Sequence, residues 1–339
     1  MPRNQRAASG VRRGLPASIT TAVLAFVVFA TAPTAAAARP TVNAAVISGT
    51  LHIAGSPSAD QIALRLSDVD PNQLQVDIDD NGSADFTFDR GTFDSINVAA
   101  GNGADKVRID QVNGVFTDTE STRLAGENGD DTLVGGSGNE VFVGGRGNDV
   151  VDGNQGADTA FLGQGDDTFV WDQGDGSDVV QGGRGFDTLA FNGFGANEVM
   201  AATASNGRAR FTRVQGNIVM DLDDVETIDV HPLGGSDTVT VNDLTGTDLT
   251  RVDVDLAAAQ GGSAGDGAAD VVTVKGTAGD DTIVATAKGA AVEVSGLTPV
   301  VRITHADPAT DTLVIDSLGG SDSVALDPAL AALILVSIP

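Results

Sequence analysis

The sequence predicts an all-β solenoid, and three observations lead to that prediction. The stretch from Gly126 to Ala190 repeats itself nearly every nine residues. A period this short leaves room for one turn and one short strand per unit, which is typical of a solenoid. Segments of alternating apolar and polar residues continue on both sides of the repeats, as in strands, and no convincing amphipathic helix follows residue 38. Gly, Ala, Val, Thr and Asp are abundant while aromatic residues make up 4%, which suits a thin core.

Residues 1–38 have the pattern of a secretory signal peptide. A basic start is followed by a mostly apolar run, Ala17 to Ala30, and by small residues at Ala35 to Ala38 that suit cleavage. The basic residues are Arg3, Arg6, Arg12 and Arg13. The run is short for a spanning helix, although an uncleaved anchor is the alternative. We therefore expect a secreted, extracellular protein with no membrane span in the mature chain.

Residues 39–119 are predicted to form an irregular β segment. Turns of the form Asp-x-Ile or Asp-x-Val occur at Asp60, Asp94 and Asp105. The stretch Asp77-x-Asp79-x-Asn81-Gly82 fits the first half of an EF-hand loop. Phe88 stands where the bidentate Glu would be, so a hairpin turn is the favoured interpretation and a calcium loop the alternative.

The repeat units share three positions. Gly occupies the fourth, an acidic residue the sixth and an apolar residue the eighth. In chain order the fourth positions are Gly129, Gly138, Gly147, Gly156, Gly165, Gly176 and Gly185; the sixth are Asp131, Glu140, Asp149, Asp158, Asp167, Asp178 and Asp187; the eighth are Leu133, Phe142, Val151, Ala160, Phe169, Val180 and Leu189. Ca²⁺ takes six to eight oxygen ligands, which two stacked Gly-rich turns can supply from carbonyls and carboxylates. The apolar eighth residue is expected to point inward.

These units resemble the nonapeptide repeat of the hemolysin-type (RTX) calcium-binding family. The resemblance implies a parallel β-roll in which successive units lie on opposite sides and Ca²⁺ lies between units two apart. It implies one row of Asp131, Asp149, Asp167 and Asp187, and a second row of Glu140, Asp158 and Asp178. The extra methylene of Glu140 makes its site the imperfect one. The alternative is that these Gly and Asp residues form ordinary turns without binding a metal ion.

The predicted ligands of Ca²⁺, the expected cofactor, belong to these turns. They are Asp131, Asp149, Asp158, Asp167, Asp178, Asp187, Gly126, Gly129, Gly135, Gly144, Gly147, Gly165, Gly182, Gly185, Asn148 and Asp166. Because Asp has an unperturbed pKa of about 3.9, the ligands are expected to be ionised at neutral pH. Calcium binding should then be nearly flat from about pH 6 to 8.

The calcium-binding β-roll is assigned to residues 120–195, and residues 196–339 are predicted to be a second irregular β segment stacked onto it. Turns of the same form recur there at Asp237, Asp270, Asp281, Asp311 and Asp322. Some, such as the one within Gly276–Val284, could still bind calcium; the alternative is a plain turn entering a strand. The apolar end, Ala329 to Ile338, is predicted to be a last strand that covers the open end of the solenoid.

The net charge and the numbers of Cys and His residues argue against several functional classes. A formal charge of −28 repels nucleic acid and attracts cations. There is no Cys, and the three His lie far apart in sequence without a His-Glu-x-x-His motif, so a zinc hydrolase is not expected. Gly261 to Gly265 matches Gly-x-Ser-x-Gly, but no strand precedes it and no helix follows it.

The sequence therefore predicts a secreted, non-catalytic calcium-binding β-solenoid with a structural or surface-interaction role. Its partners would be calcium ions and a cell-surface or matrix component, and no nucleic acid. The alternative is an exported, hydrolase-like enzyme whose repeats support a catalytic part that the sequence does not reveal.

Overall fold

The structure is a computed structural model that describes residues 42–339, and over these residues it is all-β. The predicted signal peptide lies outside the described residues. The strands, in chain order, are β1 (Asn43–Ile47), β2 (Thr50–Ala54), β3 (Gln61–Leu66), β4 (Gln73–Ile78), β5 (Phe86–Asp89), β6 (Ser95–Asn102), β7 (Lys106–Asp110), β8 (Ser121–Asn128), β9 (Thr132–Val134), β10 (Val141–Arg146), β11 (Val150–Asp152), β12 (Thr159–Gln164), β13 (Thr168–Trp171), β14 (Val179–Arg184), β15 (Thr188–Asn192), β16 (Val199–Ser205), β17 (Arg208–Arg213), β18 (Ile218–Asp223), β19 (Thr227–His231), β20 (Thr238–Val241), β21 (Arg251–Asp255), β22 (Val271–Lys275), β23 (Thr282–Lys288), β24 (Ala291–Ser295), β25 (Val300–Thr304), β26 (Thr312–Asp316), β27 (Ser323–Leu326) and β28 (Leu335–Ser337).

Three 3-10 helices complete the described secondary structure: Arg90–Thr92, Gln215–Asn217 and Pro328–Ala332. Between residues 42 and 339, therefore, no helix is long and apolar enough to cross a membrane.

The strands form two sheets of 14 strands each. The first sheet has the order β1-β2-β6-β8-β10-β12-β14-β18-β17-β16-β20-β22-β26-β28. The second has the order β27-β23-β24-β25-β21-β19-β15-β13-β11-β9-β7-β3-β4-β5. Through the repeats the chain alternates between the sheets, and strands two apart pair in parallel, as in β8–β10–β12–β14 and β9–β11–β13–β15. This is the predicted solenoid, with successive nine-residue units on opposite sides.

The core lies between the two sheets and is one residue deep on each side. All seven apolar residues at the eighth position of the repeats are fully buried, including Leu133, Phe142 and Phe169, which confirms the predicted inward orientation. Their neighbours along each strand are partly exposed, because side chains alternate faces. The largest buried side chain, Trp171, stacks on Phe191 with ring centroids 4.1 Å apart. One hydrophobic core runs from Val42 to Ile334.

The flanks are more regular than the sequence suggested. Both sheets continue through residues 196–339 with parallel pairs of up to five residues in register, such as β21–β25 and β22–β26. What interrupts the solenoid is antiparallel insertions: β3–β4–β5, β16–β17–β18 and β23–β24–β25. The division into segments at residues 119/120 and 195/196 stays a prediction, and neither sheet breaks there.

Asp77-x-Asp79-x-Asn81-Gly82 starts the connection between β4 and β5, an antiparallel pair, so the hairpin interpretation is confirmed. Asp77 is fully buried, and its carboxylate pairs with Arg65 at 2.8 Å. Asp77 Oδ2 also accepts the Gly82 N–H at 2.7 Å, and Oδ1 accepts the Asn81 N–H at 3.2 Å. These partners satisfy the Asp77 oxygens, which leaves the EF-hand alternative without support.

The C-terminal end is only partly the predicted strand. Its first half is the 3-10 helix Pro328–Ala332, and β28 pairs with β26 in parallel over three residues. Asp327 caps the helix by accepting the Ala329 N–H, and Pro328 fits its first turn. Leu330 in the helix and Ile334 after it are buried in the core, so this segment does cover apolar side chains at the end of the solenoid.

Candidate metal centre

The turns between the two sheets place acidic residues in rows. Each row residue immediately precedes a strand, and its backbone N–H donates to the carboxylate of the equivalent residue one coil farther along. In the first row Asp131 N–H donates to Asp149 Oδ1 at 2.8 Å, and Asp149 N–H donates to Asp167 Oδ1 at 2.7 Å. Asp167 N–H then donates to Asp187 Oδ1 at 2.9 Å. These four residues form the row that the resemblance implies.

The first row also extends beyond the repeats at both ends. Asp60 N–H donates to Asp105 Oδ1 and Asp105 N–H donates to Asp131 Oδ1, at 2.7 and 2.8 Å. At the other end Asp187 N–H donates to Glu226 Oε2 at 2.7 Å. The ladder is therefore a property of the solenoid coil and not of the repeat alone.

The second row lies at the opposite edge of the sheets. Glu140 N–H donates to Asp158 Oδ1 at 2.7 Å, and Asp158 N–H donates to Asp178 Oδ1 at 2.9 Å. The structure thus brings together the three residues of the expected second row. Glu140 differs from the others because its Oε2 accepts the Gly136 N–H at 2.8 Å.

In both rows one carboxylate oxygen is used by the ladder and another is left over. Seven carboxylates of the repeats, each at most 2% exposed, have one buried oxygen without a hydrogen-bond partner. The unpartnered atoms are Asp131 Oδ2, Glu140 Oε1, Asp149 Oδ2, Asp158 Oδ2, Asp167 Oδ2, Asp178 Oδ2 and Asp187 Oδ2. A buried carboxylate oxygen without a hydrogen-bond partner is strongly unfavourable, so these oxygens fit a positively charged ligand.

Glycine at the first position of a unit lets these carboxylates approach the backbone closely. A Cβ placed on Gly144 would meet Asp149 Oδ2 and the Leu162 carbonyl oxygen. Cβ atoms on Gly126 and Gly182 would likewise meet the Oδ2 atoms of Asp131 and Asp187. On Gly135 the Cβ would meet the Glu140 carboxylate and the Gly153 carbonyl oxygen. The missing side chain therefore allows the row carboxylates to pack directly against the backbone of the turn.

Glycine at the fourth position has a different task. Gly129, Gly147, Gly165 and Gly185 have φ between 117° and 140°, where other residues are strained. A Cβ on Gly147 would collide with the Gly129 carbonyl oxygen, and one on Gly165 with the Gly147 carbonyl oxygen. These glycines allow successive turns to stack closely.

The fifth-position residues Asn148 and Asp166 lie in an exposed outer ladder. Asn148 Oδ1 accepts the Asp166 N–H at 2.9 Å, and Asp166 Oδ1 accepts the Phe186 N–H at 2.9 Å. Both residues are exposed, unlike the Asp residues of the rows. Their side-chain oxygens are thus engaged outside the buried rows, and any role as ligands stays a prediction.

Burial changes the expected ionisation of the rows. Desolvation by burial raises the pKa of Asp131 to about 6 and of Asp149 to about 7, against a partial offset from backbone hydrogen bonds. Desolvation likewise raises the pKa of Asp187 to about 7 and of Asp158 to about 9. Loss of water around the carboxylates therefore raises the pKa of these Asp residues above the value expected from the sequence.

The residues fit a calcium ion. Ca²⁺ prefers carboxylate and carbonyl oxygens in flexible arrangements, and these sites offer no nitrogen or sulfur. An ion beside the unpartnered oxygens would supply the missing positive charge and favour the ionised carboxylates. The residues that would hold it are the Asp residues of adjacent coils, with carbonyl groups of the Gly-rich turns.

Two features of the structure lie outside the predicted set of calcium ligands. Asp105 and Asp237, outside Gly126–Ala190, also have a buried Oδ2 without a partner. The Gly-x-Asp-x-Val pattern of both turns was the available signal. In addition, His231 and His305, 74 positions apart, line one cavity of about 370 Å³ together with Asp229, Asp253 and Asp255. Parallel pairing of β19, β21 and β25 creates this proximity.

Comparison with known proteins supports the repeat assignment. The RTX calcium-binding nonapeptide repeat matches in four copies, over residues 118–151, 134–169, 172–190 and 273–287. No curated protein matches the chain. Among solved structures, the extracellular lipase LipA from Serratia marcescens is similar at 13% identity, with 65% of this chain and 43% of the lipase covered and a TM-score of 0.20. The chain thus spans less than half of the lipase, and a score this low supports no inference about fold or activity. The four matches, three of them across the two carboxylate rows, show that the chain contains RTX calcium-binding nonapeptide repeats.

Proposed function

We propose that this chain is a secreted, non-catalytic β-solenoid that binds calcium along its two carboxylate rows and uses the ions to stabilise its fold. The observation that carries the proposal is the set of seven buried, unpartnered carboxylate oxygens in the repeats. Hydrogen bonds of the solenoid already use the first oxygen of each Asp, so the second is available to a cation. The formal charge of −28 favours the uptake of several ions.

The biological role proposed for the ordered solenoid is structural or surface interaction, with a cell-surface or matrix component as the partner. Support comes from the shape of the site: the proposed ions lie within turns and not in a substrate-sized cleft. Binding of the full chain to the envelope of the producing cell, with calcium and with EDTA, tests this role. Equal and negligible retention in both conditions contradicts it.

The calcium proposal is tested by equilibrium dialysis of the full chain. The double variant Asp149→Asn/Asp167→Asn keeps the Oδ1 acceptors of the ladder and removes two charges from the first row. It should bind fewer calcium ions than the unmodified chain. Asp68→Asn, at an exposed residue outside the rows, is the charge-matched control and should bind as many as the unmodified chain. Absence of calcium binding by the unmodified chain at millimolar calcium refutes the proposal.

An exported enzyme is the second candidate, and the cavity around His231 and His305 is the observation that favours it. His305 Nδ1 lies 2.5 Å from Asp255 Oδ1, an arrangement that can orient the ring for proton transfer. Lys288 and Arg302 line the same cavity and could hold an anionic substrate. A hydrolase substrate panel run with the full chain and with His305→Ala tests it: turnover that His305→Ala abolishes supports the enzyme.

A further inference from the structure

The acidic ladder resumes in the C-terminal flank, beyond the insertion β16–β18. Glu198 N–H donates to Asp237 Oδ1 at 2.7 Å, and Asp237 N–H donates to Asp270 Oδ1 at 2.8 Å. Asp270 N–H then donates to Asp311 Oδ1 at 3.0 Å. All four side chains are at most 2% exposed. This third row reproduces the backbone arrangement of the repeats with spacings of 33 to 41 residues instead of 18 to 20.

The members of the third row differ in what their remaining oxygens do. Asp311 Oδ2 accepts the Asp307 N–H at 2.6 Å. Glu198 pairs with Arg213 through one oxygen and accepts the Phe194 N–H with the other. Asp237 Oδ2, by contrast, is buried and has no partner. Asp237 is therefore the member of this row that matches the repeat carboxylates.

The surroundings of Asp237 are acidic and consist of oxygens. Asp270 lies on the adjacent coil, and the Asp266 carboxylate accepts the Gly235 N–H at 2.7 Å within the turn that leads to Asp237. Gly235, two residues before Asp237, has φ 129°, as the fourth-position glycines of the repeats do. This turn offers only oxygen ligands, from two adjacent buried carboxylates, and its glycine has a positive φ. Such a turn fits a divalent cation such as Ca²⁺.

The fourth matched repeat, residues 273–287, gives the opposite result. Its acidic residue, Asp281, accepts the Thr277 N–H through Oδ2 at 2.7 Å and the Thr277 hydroxyl through Oδ1 at 3.0 Å. Asp281 is also only partly buried. Both oxygens already have protein donors, so nothing at this turn calls for a cation.

We propose that Asp237 and Asp270 hold a divalent cation outside the RTX matches, and that the matched repeat around Asp281 holds none. The inference deepens the proposed function, on which it rests for the identity of the ion. Under this proposal, a coil binds calcium where the second carboxylate oxygen is buried and unpartnered, whether or not its sequence matches the RTX repeat.

Native mass spectrometry of the full chain at saturating calcium counts the ions. Asp237→Asn keeps the Oδ1 acceptor of the ladder and should lose one bound ion relative to the unmodified chain. Asp281→Asn, the matched control in the same flank, should lose none. An unmodified chain without any bound calcium contradicts the proposed function as a whole. Calcium binding by the unmodified chain with an unchanged count in Asp237→Asn overturns this inference alone, and so does a loss in Asp281→Asn.

Folding of the variants is checked by circular dichroism in saturating calcium. If Asp237→Asn does not show the strand signal of the unmodified chain, Asp270→Asn takes its place, and the same loss of one ion is expected. If both variants in saturating calcium show only the strand signal that the unmodified chain shows in EDTA, the site is supported, because calcium then no longer has its ligands there. Failure of both variants to fold with calcium and in EDTA alike assigns the two residues a purely structural role and overturns the inference.

Discussion

The repeats at 126–190 and the C-terminal flank at 196–339 use the same backbone ladder but differ in the second carboxylate oxygen. In both regions an Asp N–H donates to the Oδ1 of the Asp on the next coil, as at Asp149 and Asp270. In the repeats the other oxygen is buried and unpartnered, whereas Asp281 and Asp311 in the flank receive N–H donors from their own turns. The first oxygen therefore serves the fold, and the second one distinguishes a candidate metal site from an ordinary turn.

Calcium removal should destabilise the repeats far more than the C-terminal flank, and this is the largest effect that we expect. The ligands do not preassemble in an unfolded chain, so binding free energy becomes folding free energy. Each site filled at a hundred times its Kd contributes about 2.7 kcal/mol, and near Kd only about 0.4 kcal/mol. In EDTA we expect hydrogen exchange in β10 and β12 to accelerate by roughly a hundredfold or more relative to saturating calcium.

The strands β21 and β25 are the internal control for that experiment. They are preceded by Thr250 and Pro299, so their turns carry no row carboxylate. Hydrogen exchange in these strands should change much less on calcium removal. Equal acceleration in both pairs of strands, or none in either, contradicts the distinction between the two regions.

Acidification should partly replace calcium in the repeats. A carboxylate whose pKa is raised by folding contributes stability that is full below its unfolded pKa of about 3.9 and is lost as the pH rises through the folded value. Burial raises the pKa of Asp131 to about 6 and of Asp149 and Asp187 to about 7. In EDTA the strand signal and the unfolding midpoint should therefore be higher at pH 5 than at pH 7.5.

Saturating calcium should reverse this pH dependence, because the bound ion favours the ionised carboxylates. Thermal unfolding followed by circular dichroism at both pH values, with calcium and with EDTA, measures it. A metal-free chain that becomes more stable between pH 5 and 7.5 would show that folding does not raise the pKa values of the row carboxylates.

The sequence was sufficient for the coil and for the order of the rows. Because Gly and Asp recur at fixed positions of a nine-residue period, the side chains of Leu133, Phe142 and their equivalents can only point inward, and they are buried. The insertion β16–β18 was missed although Asn206-Gly207, with φ 55° and 82°, is a two-residue hairpin signal. The sequence could not reveal the free oxygen of Asp237, because it depends on which N–H groups reach the carboxylate, such as that of Glu198, 39 residues away.

Substitution of a fourth-position glycine tests the close stacking of successive turns, which both regions share. Gly147→Ala places a Cβ against the Gly129 carbonyl oxygen at φ 117°, which should destabilise the fold with or without calcium. Backbone strain alone contributes on the order of 1–3 kcal/mol. Gly174→Ala is the matched control, since φ is 110° there and no atom lies within 4 Å of the added Cβ. In urea unfolding, the free energy of unfolding of Gly147→Ala should be clearly lower than that of Gly174→Ala. Similar losses of stability in the two variants would show that close stacking adds nothing to the backbone strain.

The smallest expected effect separates the two rows. Asp149 stands between Asp131 and Asp167 in an unbroken row, so its Oδ2 can serve ions on both sides. Glu140 begins its row, so its free Oε1 has a row neighbour, Asp158, on one side only. Asp149→Asn should weaken calcium affinity by about tenfold, or about 1.4 kcal/mol, and Glu140→Gln by less. Both variants retain an acceptor oxygen and lose one charge, so the difference in Kd from calcium titration reports on position in the row. Equal losses would mean that the number of neighbours of a carboxylate in its row has no bearing on the strength of a site.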